Sequence, residues 1–376
     1  MAKPYYNFEA LLSRKPIVLD ENAIEAQIKG KNILITGAAG SIGSEIARQV
    51  LRFKPASVIL LDQAETPLYF LERELSEYHD EVKLHTILCD ITHKKALEEV
   101  FKKYAPHIVY HAAAYKHVPM LENNPVQAVL VNVLGTKNVA DLVEKHQTET
   151  FVLISTDKAV NPGSVMGASK LIAEKYVQAL HDKIERQTGV PVKFITTRFG
   201  NVLGSNGSVL PVFAEQIQNG GPITLTHPDI ERYFMTIAEA CGLVLEAGAM
   251  GKGAEIYTFY MGNPVRIKDL ALKMIEMAGL APGAIDIIIT GLRPGEKLNE
   301  ELLGERTRIV PTHNEFIMIA VEDPVDFLLA LKSIETMTGY AQEYKFEETV
   351  AEMKKFLPDF RSKNSKYQIL DNNSEM

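Results

Sequence analysis

Three glycines, Gly37, Gly40 and Gly43, recur at three-residue spacing between an apolar run and the start of a helical pattern. Glycines at such a turn permit a tight bend and a close approach of the backbone to a ligand. The N-terminus of the helix that follows, with Ser41 and Ile42, offers free amides to an anion. The spacing therefore predicts a phosphate-binding turn, as in dinucleotide sites.

Two acidic residues follow the next two apolar runs of the chain. Asp62 ends the first of them, nineteen residues beyond Gly43. A carboxylate there can accept hydrogen bonds from ribose hydroxyls and would repel a 2′-phosphate, so we expect NAD rather than NADP. Asp90 is placed to approach the adenine, although a solvated turn aspartate explains it nearly as well.

A further group of ionisable residues follows a later apolar run. Thr156, Asp157 and Lys158 stand in sequence at its end, and Lys170 comes twelve residues after Lys158. By position alone, a surface ion pair at the end of a strand and a catalytic acid–base pair explain the run equally well.

The elements that position these residues follow a regular alternation. Apolar runs, mostly without polar interruption, are predicted as strands at 32–36, 57–62, 84–88, 107–112, 151–155, 192–198 and 256–260. Helical patterns separate them, as expected for parallel strands covered on both faces. The sequence predicts an α/β fold with a Rossmann-type doubly wound parallel sheet and a smaller C-terminal substrate-binding α/β domain.

The domain division follows changes in composition along the chain. We expect an N-terminal extension at 1–30, an NAD-binding domain at 31–198 plus 235–261, a substrate domain at 199–234 plus 262–361, and a flexible polar tail at 362–376. Later helices are expected at 237–249, 267–277 and 326–337.

Composition excludes several classes of protein. The chain has 376 residues and a net charge of −8, which argues against a dominant nucleic-acid surface. Its two cysteines, Cys89 and Cys241, belong to no metal-binding cluster, so no metal site is predicted. No apolar run approaches the roughly 20 residues of a membrane helix, and a cytoplasmic protein without a membrane span is expected.

Three longer runs carry a family resemblance. They are Ala-Tyr-Lys-His-Val-Pro at 114–119, Phe-Gly-Asn-Val-Leu-Gly-Ser-Asn-Gly-Ser at 199–208 and Gly-Leu-Arg-Pro-Gly-Glu-Lys at 291–297. With the glycine pattern, they resemble the extended short-chain dehydrogenases/reductases, specifically the UDP-N-acetylglucosamine 4,6-dehydratase group of bacterial polysaccharide biosynthesis. The resemblance spans about 11–303. It adds Ala112 and Lys170 to the cofactor site and implies a homo-oligomer formed through helices that flank Lys170.

The resemblance also implies catalytic roles. Short-chain dehydrogenases carry Tyr-x-x-x-Lys where this chain has Met166-x-x-x-Lys170, and a thioether cannot take a proton; the resembling group, however, includes a branch with Met here. Related dTDP-glucose 4,6-dehydratases carry Thr-Asp-Glu where this chain has Thr156, Asp157 and Lys158. Asp157 then becomes the acid for the C6 hydroxyl and Lys158 the base at C5. The base for the C4 hydroxyl stays open between Asp157 acting through a water, Thr156 and Lys170.

The substrate contacts implied by the resemblance lie in the later runs. They are Lys116 and His117 towards the sugar, Asn201 towards a phosphate, and Arg232 and Arg293 towards the diphosphate, since a guanidinium fork suits phosphate oxygens. The chain departs from the resembling group at Tyr260, where an aspartate is expected.

The predicted function is therefore NAD-dependent removal of water from UDP-N-acetylglucosamine. Retention at C5 is weakly preferred over inversion. A nucleotide-sugar 4-epimerase on the same scaffold is the first alternative. It needs C4 oxidation but no base at C5, so the run of Asp157 and Lys158 argues against it. A non-catalytic NAD-binding interaction protein is the second, because Met166 replaces the usual base.

Overall fold

The computed structural model describes residues 17–77, 81–189, 192–304 and 307–375. Within them the strands are β1 (Asn32–Thr36), β2 (Ser57–Asp62), β3 (Lys83–Leu88), β4 (Ile108–His111), β5 (Thr150–Ile154), β6 (Lys193–Arg198), β7 (Asn201–Val202), β8 (Ile223–Leu225), β9 (Glu231–Arg232), β10 (Phe234–Met235), β11 (Ile256–Phe259), β12 (Val265–Arg266), β13 (Ile287–Ile289), β14 (Arg308–Pro311) and β15 (Ile317–Val321). The helices are α1 (Glu21–Ile28), α2 (Ser41–Leu51), α3 (Glu65–Ser76), α4 (Lys94–Tyr104), α5 (Val118–Asn123), α6 (Pro125–Gln127), α7 (Thr136–Lys145), α8 (Val165–Thr188), α9 (Val209–Gln218), α10 (Ile237–Met250), α11 (Ile267–Met277), α12 (Phe327–Gln342) and α13 (Phe346–Phe356). A π-helix (Ala128–Gly135) precedes α7, and 3-10 turns occupy Asp157–Ala159 and Lys366–Glu375.

A large sheet has the strand order β14-β15-β11-β6-β5-β4-β1-β2-β3. Its pairs from β3 to β11 are parallel, whereas β15 is antiparallel to both β11 and β14. The order from β3 to β6 is that of a Rossmann-type sheet, which confirms the predicted fold class. All seven predicted strands are present, with boundaries within one residue of those expected.

Helices cover both faces of this sheet because its central strands are apolar on both sides. In β1, Ile33 and Ile35 join a buried cluster with residues of α1, α2, α3 and α10. Leu34 faces the opposite way, into a cluster formed with α4, α7, α8, α12 and α13. In the part of the chain that the structure describes, no helix is long and apolar enough to span a membrane.

A second, smaller lobe has its own core. Leu210 and Phe213 of α9, Ile223 of β8 and Leu270 and Met274 of α11 form its buried cluster. Strands β14 and β15, which lie within the predicted substrate domain, instead extend the large sheet. The division into domains itself stays a prediction.

Helices α12 and α13 pack over α8. Tyr176 and Leu180 of α8 share a buried cluster with Ile334 and Met337 of α12. The face of α8 that carries Tyr176 and Leu180 is therefore covered by other helices of the same chain. Homo-oligomer formation through the helices that flank Lys170 stays a prediction.

The polar C-terminal segment packs onto the main body, although a flexible tail was expected over 362–376. Tyr367 is 1% exposed, and the Ser365 hydroxyl donates a hydrogen bond to Glu122 Oε2 at 2.5 Å. Tyr367 and Ser365, two of the residues that anchor this segment, are not conspicuous in a polar sequence.

Glu122 is the point where several segments meet. Its Oε1 accepts a hydrogen bond from the amide of Val165 at 2.7 Å, at the start of α8. Beside it, the Gly295 amide donates to the carbonyl of Lys363 at 2.7 Å, and a Cβ on Gly295 would lie 2.9 Å from Glu122 Oε1. Burial raises the pKa of Glu122. One buried carboxyl thus joins α5, α8 and the C-terminal segment next to the 291–297 run.

A buried ion-pair network joins the sheet to α8. Arg198, at the end of β6, is 1% exposed and donates from Nη2 to Glu174 Oε2 at 2.5 Å and from Nε to both Glu174 oxygens. Its Nη1 donates to Glu322, just beyond β15. The network fixes α8, and the residues that α8 carries, against the carboxyl end of β6.

Replacement of Glu174 by alanine is expected to lower the free energy of unfolding by about 3–5 kcal/mol, because it leaves a buried guanidinium without its main partner. Urea titration monitored by circular dichroism measures this change. Arg52→Ala, which removes a solvent-exposed pair with Glu21, serves as the control and should barely move the midpoint. Equal midpoints for the two variants would contradict the expectation.

Candidate functional site

A cleft of about 1030 Å³ lies at the carboxyl ends of β1, β4 and β5, between the large sheet and the smaller lobe. The order of the strands reverses between β1 and β4, which is where open α/β sheets bind ligands. The cleft is lined by most of the predicted site residues: Gly37, Gly40, Ser41, Ile42, Gly43, Ala112, Lys116, His117, Thr156, Lys158, Met166, Lys170, Asn201, Arg232 and Arg293.

Of the three glycines in the turn, Gly37 and Gly43 leave no room for a Cβ atom, whereas Gly40 is less crowded. Gly37 has a φ of +66°, and a Cβ there would lie 2.5 Å from the Ala113 amide. A Cβ on Gly43 would lie 2.1 Å from the Gly37 carbonyl oxygen. A Cβ on Gly40 would approach only that carbonyl, at 3.3 Å. Gly37 and Gly43 are thus required by packing, while Gly40 leaves space above the first amides of α2, which suits a bound anion.

The two predicted cofactor aspartates lie outside the set of residues that line the cleft. Asp62 Oδ2 accepts a hydrogen bond from the Ala39 amide at 2.9 Å, and its Oδ1 accepts one from the Ala64 amide at 2.9 Å. Asp62 therefore holds the glycine turn to the end of β2. Asp90 accepts from the Thr92 amide at 2.8 Å, as a turn aspartate does. Their roles toward a ribose and an adenine stay predictions.

The residues after β5 form a compact hydrogen-bonded group. Asp157 is 2% exposed, and its Oδ1 accepts hydrogen bonds from Thr156 Oγ1 and Lys158 Nζ, each at 2.9 Å. Lys158 Nζ also donates to Asn201 Oδ1 at 3.1 Å. Because Asn201 belongs to β7, the group links the main sheet to the run that leads into the smaller lobe.

Lys158 carries a stabilised positive charge. Burial lowers the pKa of Lys158, but the carboxylates of Asp157 and Glu300 outweigh burial, and the pKa lies above its ordinary value. Glu300 Oε1 is 3.7 Å from Lys158 Nζ. A base at C5 has to be neutral, so the resting state of Lys158 is the opposite of what that predicted role requires.

Lys170 has a different environment. Its side chain is 5% exposed and Nζ donates to the Ile154 carbonyl at 2.7 Å. Burial lowers the pKa of Lys170 to about 8, with Glu174 acting in the opposite direction. Met166, one helical turn earlier, is 3% exposed and presents no proton acceptor to the cleft.

Tyr176 does not replace the missing tyrosine. Its hydroxyl donates to Asp141 Oδ1 at 2.5 Å, and it is not among the residues that line the cleft. Burial raises the pKa of Tyr176.

The run at 114–119 faces the smaller lobe. Burial lowers the pKa of Lys116, whose Nζ lies 3.5 Å from Ser205 Oγ. Burial, with the nearby charges of Lys116 and Arg293, also lowers the pKa of His117. The His117 ring packs against Gly207, where a Cβ would lie 2.6 Å from the ring. These contacts place both side chains at the cleft, as expected for groups that meet a sugar.

The two predicted diphosphate arginines differ sharply. Arg232 is buried, and its guanidinium donates to the carbonyls of Glu231 at 2.7 Å, Leu298 at 2.9 Å and Lys297 at 2.8 Å. The N–H donors of the Arg232 guanidinium are thus largely occupied by backbone carbonyls of the protein. Arg293 has a side chain that is 60% exposed, which leaves it open to an anion.

Several polar residues at the site were not singled out from the sequence, and three of them are close to the predicted catalytic or substrate residues. Ser155 Oγ is buried and lacks a hydrogen-bond partner among the described residues, and Ser155 lines the cleft. Glu296, inside the quoted 291–297 run, lines the cleft and lies 3.7 Å from Arg232. Glu300 carries no sequence signal, because it approaches Lys158 only through the fold. Away from the cleft, His181, Asp182 and Glu185 of α8 have a spacing that could hold a metal ion.

Relatives of known name match most of the chain. It is 50% identical over 298 residues to a probable polysaccharide biosynthesis protein, EpsC, of Bacillus subtilis, covering 79% of this chain but 49% of that protein, so the chain spans about half the length of that relative. It is 33% identical to a UDP-N-acetylglucosamine 4,6-dehydratase (inverting) of Campylobacter jejuni, covering 73% of this chain and 78% of that one. It is 32% identical to a UDP-glucose 4-epimerase of Rickettsia rickettsii, covering 73% and 77%.

Solved structures show the same fold. Pen from Bacillus thuringiensis superposes with a TM-score of 0.71 at 32% identity, covering 80% of this chain and 90% of that one. A Thermus thermophilus UDP-glucose 4-epimerase in complex with NAD superposes with a TM-score of 0.60 at 25% identity, covering 72% and 90%.

These findings confirm the resemblance to nucleotide-sugar dehydratases of the short-chain dehydrogenase/reductase type. The family described as polysaccharide biosynthesis protein matches residues 33–322, which is most of the chain. The chain therefore belongs to the polysaccharide biosynthesis protein family.

Proposed function

We propose that this chain catalyses NAD-dependent dehydration of UDP-N-acetylglucosamine to a UDP-4-keto-6-deoxy-N-acetylhexosamine. The observation that carries the proposal is the hydrogen-bonded pair of Asp157 and Lys158, 2.9 Å apart at the carboxyl end of β5. Such a pair provides one acid and one base side by side, which elimination across C5 and C6 requires. The 33% identity to the Campylobacter dehydratase supports this choice.

The glycine turn fits NAD. Gly40 leaves open space above the N-terminus of α2, where Ser41, Ile42 and Gly43 present amides to a pyrophosphate. Asp62, next to this turn, suits a ribose without a 2′-phosphate. When bound, NAD supplies the acceptor for the hydride of C4 and its return to C6.

The resting charge of Lys158 is compatible with elimination if the pair exchanges its proton. The proton that would be exchanged is the one that Lys158 Nζ donates in its hydrogen bond to Asp157 Oδ1. Its transfer to Asp157 produces a neutral amine and a carboxylic acid, a change that desolvation by a bound substrate favours. The amine takes the C5 proton, and the acid gives its proton to the departing C6 hydroxyl, which leaves as water. Both groups then have their initial protonation states. On return of the hydride to C6, the Lys158 ammonium group gives its proton to C5, and Lys158 is reprotonated from water while the base at C4 releases the proton that it took.

Lys170 is the best of the three candidates for the base at the C4 hydroxyl. With a pKa of about 8, part of its population is neutral near pH 7. Thr156 already donates its hydroxyl to Asp157. Arg293 and Lys116 are the open cations for a diphosphate, whereas Arg232 has a structural role in this arrangement.

A nucleotide-sugar 4-epimerase is the second candidate, because the Rickettsia relative of that name is almost as similar as the dehydratase. Epimerisation needs no proton removal at C5. The Asp157–Lys158 pair therefore favours dehydration.

Incubation with UDP-N-acetylglucosamine and NAD⁺ is expected to yield a nucleotide sugar lighter by one water. Mass spectrometry measures the loss, and the NMR coupling at C5 distinguishes retention from inversion. A product of unchanged mass that is inverted at C4 would establish the epimerase instead.

Asp157→Asn and Lys158→Ala are each expected to reduce turnover by about 10²–10⁴-fold, because each removes a proton-transfer group. NAD binding, measured by calorimetry, should persist in both variants. Asp182→Asn on α8, outside the cleft, is the control. Wild-type turnover in both variants would reject the assigned roles.

Gly40→Ala and Gly43→Ala should separate cofactor binding from folding. Gly40 has a φ of −74°, which alanine adopts readily, and its Cβ would lie 3.3 Å from the Gly37 carbonyl oxygen, a tight contact that a small shift relieves. We therefore expect a smaller loss of thermal stability than in Gly43→Ala but NAD affinity reduced about tenfold or more. Gly43→Ala should lower the free energy of unfolding by about 1–3 kcal/mol, because its Cβ meets the Gly37 carbonyl. Unchanged NAD affinity in Gly40→Ala would remove the turn from the cofactor site.

A further inference from the structure

Glu300 brings a carboxylate from outside the main sheet to the catalytic pair. It lies in the segment between β13 and β14, and its side chain is 5% exposed. Its Oε1 is 3.7 Å from Lys158 Nζ and 3.9 Å from Arg232 Nε. A carboxylate at that depth requires compensating cations, and these two provide them.

The position of Glu300 is fixed by the protein itself. Arg232 donates to the carbonyls of Lys297 and Leu298, which lie three and two positions before Glu300. Because Arg232 also belongs to β9, the segment is attached to the smaller lobe that lines the other side of the cleft.

The charged groups that act on Lys158 come from three segments. Asp157 lies beside it in the turn after β5, Glu300 approaches from the 297–304 segment, and Arg232 opposes both from β9. Asp157 is needed to transfer a proton, so its charge changes during the reaction. Glu300 takes no part in the proposed proton transfer, so it serves as the constant countercharge to Lys158.

We propose that Glu300 is a positioning residue that holds the Lys158 ammonium group in place and so couples the smaller lobe to the Asp157–Lys158 pair. The proposal deepens the dehydratase function and rests on it for its catalytic meaning. A displaced 297–304 segment would take the constant countercharge away from Lys158. Lys158 would then lose its proton at lower pH.

Glu300→Gln keeps the shape of the side chain and removes its charge. The folded-state pKa of Lys158 is raised by this charge, so without it Lys158 loses its proton at lower pH. We expect the titration midpoint of Lys158 to fall by about 1–3 units. NMR of protein labelled with ¹³C at lysine Cε measures the midpoint, with the signal assigned by its loss in Lys158→Arg.

Glu301→Gln is the matched control, because the Glu301 carboxylate contacts Asn161 and Lys297 instead. Its Lys158 midpoint should equal that of the wild type, and Glu300→Asp should recover part of the shift. An unshifted midpoint in Glu300→Gln, or an equal shift in Glu301→Gln, overturns the proposal.

The titration requires no turnover, so it decides the role of Glu300 even if the mass measurement rejects dehydration. If dehydration occurs, the alkaline limb of the plot of kcat/KM against pH should move to lower pH in Glu300→Gln, together with the NMR midpoint. The same limb should not move in Glu301→Gln.

Discussion

Burial of positive charge is the constraint on which the site depends. Arg198, Lys158 and Lys170 are all largely removed from water, and each is compensated differently. Glu174 lies four residues beyond Lys170 on α8, and its carboxylate is bound by the guanidinium of Arg198. Lys170 is left with a carbonyl partner and a pKa of about 8, while Lys158 keeps its proton beside two carboxylates. One cleft thus contains an amine that is readily neutral and one that is charged.

The sheet supplies this arrangement through its topology. Parallel strands end at the same edge, so the glycine turn after β1 and the turn at 156–158 after β5 open into one cleft. The smaller lobe completes the opposite wall with Arg293 and Glu296. The turn that carries Thr156, Asp157 and Lys158 thus lies on the sheet, whereas Arg293 and Glu296 lie across the cleft from it.

The sheet and its motifs were predictable because they are local. Apolar runs bounded by turns specified seven strands, and short motifs specified the cleft residues. The contacts that determine the charge and the free hydrogen-bond donors of the site residues are between residues far apart in sequence. Glu300 lies 142 positions from Lys158, and the Arg232 guanidinium donates to carbonyls 65 and 66 positions away. A residue type predicts what a side chain can do, whereas its partners, supplied by the fold, determine which charge it carries.

The Glu122 junction has a consequence for how the chain folds during synthesis. Ser365 meets Glu122 from 243 residues away, and Lys363 holds Gly295 within the Arg293 run. During synthesis the sheet can form as its strands leave the ribosome, since domains fold from the N-terminus onward. The wall that carries Arg293 is fastened only after residues 363–365 have been synthesised, later than every strand of the large sheet. A nascent chain can therefore complete the glycine turn and the sheet before the opposite wall of the cleft is held in place.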